Sequence, residues 1–300
     1  MIKFLLFFLI LISYSKSQLS FENPKFYSNL VSANLSEVSG IVKSKQHNIF
    51  WVHNDSGGET AIFGIDTIGN ILCKITIPYA NRDWEDITYG QVNGKYYIFL
   101  GEIGDNDLQF ATKIIYMFEE PTLLKNSISL SVSQVDKIEF MFEHASDCET
   151  LFFNPINQNL YLITKGQVQE QIYEITYPYE TKKVLQLQSI GKLTIKNDDK
   201  NMLNRIVGGD ISNDGKYLTI KDYTTIFYYE INGNVKYITT HSPFTLPLYK
   251  QMNEPQGEAV CWGSTNYDIY TLGEEVFGIQ ARIQYFKNVN ATNVKKKVKK

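Results

Sequence analysis

Short apolar runs alternate with polar turn clusters along most of this chain, and the runs recur in groups of four. The first group is Ser39–Lys43, Ile49–His53, Ala61–Ile65 and Asn70–Pro78, separated by Gln46-His47-Asn48, Ser56-Gly57-Gly58 and Thr67-Ile68-Gly69-Asn70. Runs this short, rich in Ile, Val, Tyr and Phe and bounded by Gly, Asn and Ser, are strand signals rather than helix signals. A second group follows at Asp86–Gln91, Tyr96–Leu100 and Lys113–Phe118, with Asn93-Gly94 as a tight hairpin turn. Its fourth strand is either Ser127–Val135 or Lys137–Phe142. The third group is Thr150–Asn154, Asn159–Thr164, Gln171–Thr176 and an outer run within Val184–Ile195. The fourth is Asp210–Ser212, Tyr217–Lys221, Thr225–Glu230 and Val235–Thr240. The fifth shows only Ala259–Gly263, Asp268–Leu272 and Ala281–Phe286, while an unpartnered run stands at Phe26–Val31.

An acid opens the first strand of each group: Glu37, Glu85, Glu149, Asp210 and Glu258, at intervals of 48, 64, 61 and 48 residues. A β-type unit recurring at a spacing of roughly 40–50 residues is the signature of propeller blades. The expected fold is all-β, a five-bladed propeller in which the run near the N-terminus completes the last blade, so that strands from both ends of the chain close the ring and remove an open edge. A six-bladed ring is the alternative; it needs one more blade within 105–145 or 177–206. No linker rich in Pro, Gly or Ser divides the chain, which gives a signal peptide at 1–17, one propeller domain at 18–288 and a basic flexible tail at 289–300.

Composition refines this picture. Lys3, the apolar stretch Phe4–Ile12 and the small residues Ser15 and Ser17 read as a secretory signal cleaved before Gln18. No second apolar stretch of spanning length follows. Setting aside Lys3, Lys16 and the five lysines of the tail leaves 22 basic residues against 32 acidic ones, a body of about −10. Such a body suits a cation and argues against a nucleic-acid partner. Cys73, Cys148 and Cys261 are too few and too scattered for a disulfide framework or a zinc site, and each reads as a buried thiol. Sequons at Asn34, Asn54 and Asn290 offer glycan acceptors, Asn54 least plausibly because its loop belongs to the site below.

In a blade the innermost strand leaves one face and the second strand returns to it. The strand starts Glu37, Ser39, Glu85, Glu149, Asp210 and Glu258 therefore share a face with the loops His53-Asn54-Asp55-Ser56-Gly57-Gly58, Gly104-Asp105-Asn106, Thr164-Lys165-Gly166, Lys221-Asp222-Tyr223 and Gly273-Glu274-Glu275. Carboxylates gathered at a channel mouth need a counter-charge. Calcium suits them, because it accepts many oxygens in irregular geometry; Glu37, Ser39, Glu85, Glu149, Asp210 and Glu258 are the expected ligands. Arg82, Lys165 and Lys221 are then left to hold an anion, with His53, Asn54, Asp55, Asp105 and Asn106 beside them and Glu85 or Asp86 as a general base. The sequence has no P-loop, no dinucleotide fingerprint and no nucleophile elbow around Ser56.

The stretches His53-Asn54-Asp55-Ser56-Gly57-Gly58, Asn81-Arg82-Asp83-Trp84-Glu85-Asp86-Ile87 and Gly104-Asp105-Asn106 resemble a family of secreted bacterial and protist β-propeller proteins, most of them without an assigned activity. Asp147-Cys148-Glu149, Gly208-Gly209-Asp210-Ile211 and Pro255-Gln256-Gly257-Glu258-Ala259 fit its later blocks, so the resemblance spans roughly residues 37–275. It implies the fold and the shared face and brings no reaction. More distantly the chain is similar to the calcium-dependent apyrases, five-bladed propellers that split nucleoside di- and triphosphates around an axial calcium. In that likeness Ser39, Glu149 and Glu258 fall at ligand positions, whereas Trp84-Glu85 reverses the family's Glu-Trp order and Asp210 replaces a serine. Two functions are expected on these grounds. One is a secreted binding protein with a calcium-occupied axial site, gripping a small anion or an extracellular surface ligand. The other is a calcium-dependent hydrolase of a small phosphorylated or anionic substrate.

Overall fold

In the computed structural model the described residues are 18–30, 33–166, 169–195, 202–248, 254, 256–276 and 278–290. The signal-like segment 1–17, the tail from 291 onward, Val31 and Pro255 lie outside them. The strands are β1 (Lys25–Asn29), β2 (Val38–Lys43), β3 (Phe50–Asn54), β4 (Ala61–Ile65), β5 (Ile71–Thr76), β6 (Trp84–Val92), β7 (Lys95–Glu102), β8 (Lys113–Glu119), β9 (Ser127–Ser129), β10 (Asp136–Phe142) and β11 (Cys148–Phe153). They continue as β12 (Leu160–Thr164), β13 (Gln171–Ile175), β14 (Leu185–Leu187), β15 (Ser189–Lys192), β16 (Gly208–Ile211), β17 (Tyr217–Lys221), β18 (Thr225–Glu230), β19 (Phe244–Pro247), β20 (Ala259–Trp262), β21 (Ile269–Leu272) and β22 (Arg282–Phe286).

These strands form five separate sheets, a five-bladed β-propeller. Each blade begins with one of β2, β6, β11, β16 and β20, followed by antiparallel neighbours stepping outward. The five innermost strands contact one another in cyclic order, and β20 returns to β2, so the ring is closed. The terminal run completes the last blade as expected: β1 pairs antiparallel with β22, the outermost strand that the C-terminal part of the chain supplies.

Two outer edges are covered by a device that strand counting does not anticipate. The candidate run Ser127–Val135 does not complete the second blade; β10 does, pairing with β8. Ser127–Ser129 instead crosses back to the first blade and adds a parallel fifth strand to β5. The long run within Val184–Ile195 likewise splits. Leu185–Leu187 pairs in parallel with β10 of the second blade, and Ser189–Lys192 completes the third. Each strap ties neighbouring blades at the rim and covers an edge that would invite pairing. In the fourth blade the expected strand Val235–Thr240 is a short 3-10 helix over Val235–Thr239, and the outer strand is Phe244–Pro247. The Asn232-Gly233-Asn234 turn leads straight into the helix, burying Val235 and Ile238. Pro247 is tolerated because β19 is an edge strand in its sheet.

Five apolar layers lie between consecutive blades. Trp51, Ile62, Trp84 and Leu100 pack between the first and second, and Phe99, Phe140, Leu151 and Phe153 between the second and third. Phe152, Leu218 and Tyr229 join the third to the fourth, and Tyr228, Val260 and Phe286 the fourth to the fifth. Phe50, Val52, Ala259 and Ile283 close the ring. Gly90 is required by this packing, since a Cβ there would lie 2.4 Å from the Phe153 ring. The three cysteines are buried and unpaired. No helix among the described residues is long and apolar enough to cross a membrane.

Closure by β1 generates a test. A chain starting at residue 33 leaves β22 with an open edge. It is expected to melt earlier and to associate through that edge, measured by thermal denaturation and light scattering; an unchanged melting temperature would show that the terminal strand is dispensable.

Candidate functional site

The inner strands of the first three blades share one irregularity. Pairing slips between Val38 and Gly40, between Trp84 and Asp86, and between Cys148 and Thr150. The extra residues are Ser39, Glu85 and Glu149. A bulge re-aims the side chain of the unpaired residue, and here it delivers an oxygen-bearing side chain from each of three blades to the same ring position. Ser39 Oγ donates to the Glu85 carbonyl at 2.5 Å, which joins the first two bulges directly.

Around these positions the structure assembles two acid groups that share Glu85. Carboxylate oxygens of Asp55, Asp83 and Glu85 lie within 4.8 Å of one another, as do those of Glu85, Asp147 and Glu149. Glu258 acts electrostatically on Glu85, and Glu274 on the same cluster through Glu258 and Asp55. Glu37 stands exposed at the rim, its carbonyl accepting the Asp55 N–H at 2.8 Å. Glu85, Asp147, Glu149 and Glu258 are buried, whereas Asp55, Asp83 and Glu274 are half-buried. Two full charges this close repel by roughly 3 kcal/mol at the effective dielectric of about 20 that describes such sites.

The consequences for protonation follow. Burial, then the charges of Asp55, Glu258 and Asp83, raise the Glu85 carboxyl well above the usual range. Burial and Asp55 push Asp83 up to about 6, and burial and Glu258 push Glu274 up to about 8. Burial raises Asp55 and Glu258 too, although Tyr223 donates to Glu258 at 2.7 Å. The one cation inside the cluster among the described residues is Lys165, ion-paired with Glu149 Oε1. The other oxygen, Glu149 Oε2, is buried without a hydrogen-bond donor. Gly104 completes the cradle: a Cβ there would fall 2.2 Å from Glu85 Oε1 and 2.5 Å from Asp83 Oδ2.

Other residues expected at the site serve its walls. Asp86 is fully enclosed, accepting the N–H of Ile87 at 2.8 Å and of Leu151 on the neighbouring blade at 2.9 Å. That geometry suits a latch between blades rather than proton transfer to a ligand at the mouth. Asp210 does not join the acids. Strand β16 pairs with β17 without a slip, so ordinary alternation carries the Asp210 side chain to Trp262, whose N–H it accepts at 2.9 Å. It faces Lys45 near the other end of the channel, where burial pushes its carboxyl up to about 7. Lys221 is fully buried, paired with Glu254 at 3.4 Å and donating to the Gly257 carbonyl just before Glu258. Arg82 lies over the Phe110 ring at 4.0 Å and pairs with Glu102 at 3.5 Å. Asp105 organises its own turn, accepting the N–H groups of Gln109 and Phe110 and pairing with Lys113 at 2.8 Å, while Asn106 is exposed.

His53 is buried, with Nδ1 on the Asn54 carbonyl at 2.9 Å and Nε2 unpartnered; burial pulls its imidazole down to about 4. It therefore carries no positive charge at neutral pH. Asn54 donates to the Asn34 carbonyl at 2.8 Å, and Asn81 donates to the Asp55 carbonyl at 2.7 Å, fixing the loop that presents Asp55. Asp83 and Asp147 belong to the site without being among its expected residues, and Tyr223 and Glu274 belong to it from loops expected on the same face. The signal for two of them was present: Asp83-Trp84-Glu85 and Asp147-Cys148-Glu149 repeat one Asp-x-Glu spacing at equivalent bulges.

No family model matches the chain, and no curated protein matches it. Among solved structures it is similar to Kuenenia stuttgartiensis hydrazine synthase, with a TM-score of 0.45 and 10% identity over 84% of this chain and 96% of that one.

A carboxyl whose pKa is higher folded than unfolded binds its proton more tightly in the native state, so stability is lost as pH rises through the interval. His53 has the opposite sign, but from its ordinary value of 6.5 upward it is neutral folded and mostly neutral unfolded. Between pH 6.5 and 8 the raised carboxyls Glu274 and Glu85 therefore dominate the site's contribution. The metal-free protein is expected to melt at progressively lower temperature across that interval in calorimetric scans; a flat or rising profile contradicts the cluster's electrostatics.

Proposed function

We propose that this chain is a secreted β-propeller binding protein whose acidic mouth holds calcium and, through it, an anionic small molecule or an extracellular surface ligand. The observation that carries the reading is Glu149 Oε2, buried without a donor in a group whose charges Lys165 alone does not balance. The donor set fits a hard cation. It is all oxygen, from Glu85, Asp147 and Glu149 within the wall and Asp55 and Asp83 at its opening, with Ser39 and Glu258 adjacent. No thiol or imidazole joins it among the described residues, which disfavours zinc and copper, and an irregular carboxylate array suits calcium better than the strict octahedron of magnesium. The likeness to apyrases supports the same cation through Ser39, Glu149 and Glu258. The apolar segment at residues 4–12 supports export.

A second reading, calcium-dependent hydrolysis of a small anionic substrate, is favoured by one observation. Asp83 is half-buried beside the cluster with its carboxyl near 6, the range in which a general base is effective. When bound, calcium supplies charge neutralisation and polarisation of a substrate oxygen. Glu85 or Asp83 would then take a proton from water, and the lysine at Glu149 would orient the anion.

Isothermal titration with calcium tests the reading. The wild-type chain is expected to bind, and Glu85→Gln to weaken binding by at least about tenfold, since a shared carboxylate leaves both acid groups. Asp86→Asn is expected to behave oppositely. It should lower stability by roughly 1–3 kcal/mol, because an amide cannot accept at both positions, while calcium affinity stays close to wild type. Absence of calcium heat together with a calcium-insensitive melting temperature would remove the proposal. A turnover screen over phosphomonoesters, nucleotides and lactones then separates binding protein from hydrolase.

A further inference from the structure

The four cations closest to the mouth differ in how they are held. Arg82 is fixed by Glu102, by the Thr112 carbonyl at 3.3 Å and by the Phe110 ring. Lys113, 1% exposed, is held by Asp105 and the Gly104 carbonyl at 3.2 Å. Lys221, 0% exposed, is held by Glu254, the Gly257 carbonyl and the Asp222 carbonyl at 3.3 Å. Each of these partners is a wall group outside the two acid groups that share Glu85, so these cations hold loops in place.

Lys165 alone is paired with a member of those groups. Its ammonium lies on Glu149 Oε1, and its charge acts on Glu85, Glu258, Asp55 and Glu274 together. Its backbone is anchored, since its N–H donates to the Asp147 carbonyl at 2.9 Å. The four-carbon stem has several rotatable bonds, and an ammonium lacks the rigid fork that would lock an arginine in place. The ammonium thus occupies part of the volume that a cation bound by Glu85, Asp147 and Glu149 would need.

We propose that Lys165 is a tethered counter-ion that a divalent cation displaces from Glu149, and that the released ammonium then receives an oxyanion of the ligand. This rests on the calcium reading. Without the metal, an anion approaching the mouth meets Asp55, Asp83 and Glu274, and the Lys165 ammonium is already engaged by Glu149. With the metal in place, the acids are neutralised and the ammonium is free. Cation and anion binding are therefore coupled, and by linkage each strengthens the other equally.

The test uses the mature chain. Calcium is titrated into wild type, Lys165→Met and Lys165→Arg, and inorganic phosphate is then titrated into the calcium-loaded forms. Removing an internal competitor is expected to tighten calcium binding in Lys165→Met by about tenfold or more, and to abolish the calcium-dependent gain in phosphate affinity. Lys165→Arg, which keeps the charge but grips a carboxylate with a rigid fork, is expected to bind calcium no more tightly than wild type. A measurement on the wild-type chain stands apart from any folding defect in the variants: the rate of Lys165 acetylation, read by peptide mass spectrometry, is expected to rise on adding calcium. Calcium affinity in Lys165→Met equal to or weaker than wild type, or an acetylation rate that calcium leaves unchanged, overturns the exchange while the calcium reading stands. A wild-type chain that takes up no calcium overturns both.

Discussion

The rest of this structure depends on holding carboxylates together where water is scarce. Glu85 is the point of greatest conflict. It is buried, shared by both acid groups and surrounded by the charges of Asp55, Glu258 and Asp83. A small group of side chains in solution would separate at once. Here separation is prevented by the ring: each acid is fixed to an inner strand or its adjoining loop, and the inner strands are fixed by five apolar layers. Burial of large side chains such as Trp51, Trp84, Phe99 and Phe152 contributes stabilisation of the kind that offsets local electrostatic strain. The strained mouth and the apolar layers are two sides of one balance.

What distinguishes the mouth from the many other buried acids is the supply of donors. Glu102 accepts from the Asp83 N–H, the Arg82 N–H and the Trp84 indole. Glu120 accepts from the Trp51 indole, Gln46 and the Tyr89 hydroxyl. Asp86 and Asp210 each accept backbone N–H groups of a neighbouring blade. These acids are satisfied and act as fasteners, which agrees with the rule that buried polar groups are hydrogen-bonded. Against that background the orphaned Glu149 Oε2 is an exception, and in a native structure such an exception calls for a bound ion, a catalytic role or stored strain.

Much of this was legible in the chain, and what was not has a physical cause. The alternating runs and the recurring acids gave the fold class, the number of blades and the terminal closure, because they reflect side-chain periodicity, which sequence records directly. Glu85, Glu149 and Glu258, each at the start of an inner strand, lie near one another at one mouth. Asp210 was misplaced because its neighbours look the same in sequence, yet β16 lacks the slip that re-aims Ser39, Glu85 and Glu149. A bulge is a property of pairing, and pairing involves a partner strand that a linear reading does not see. The straps β9 and β14 were missed on similar grounds, since their partners belong to another blade. The cations were over-read for a different reason. Lys221 and Arg82 carry the right charge, but their partners come from distant positions and immobilise them.

No blade holds a site by itself. Asp55 comes from the first, Asp83 and Glu85 from the second, Asp147 and Glu149 from the third, and Glu258 and Glu274 from the fifth. The fourth enters through the Tyr223 hydroxyl on Glu258 and through Lys221 on the Gly257 carbonyl. In an opened ring these groups disperse and the repulsion disappears, together with any affinity for a cation. A cation bound here therefore favours the closed ring over every opened form, and its binding free energy becomes stability of the fold. The same reasoning explains why the acids are tolerated at all. Their mutual repulsion is a cost only while the mouth lacks a counter-charge, and Lys165 supplies part of one from within the chain.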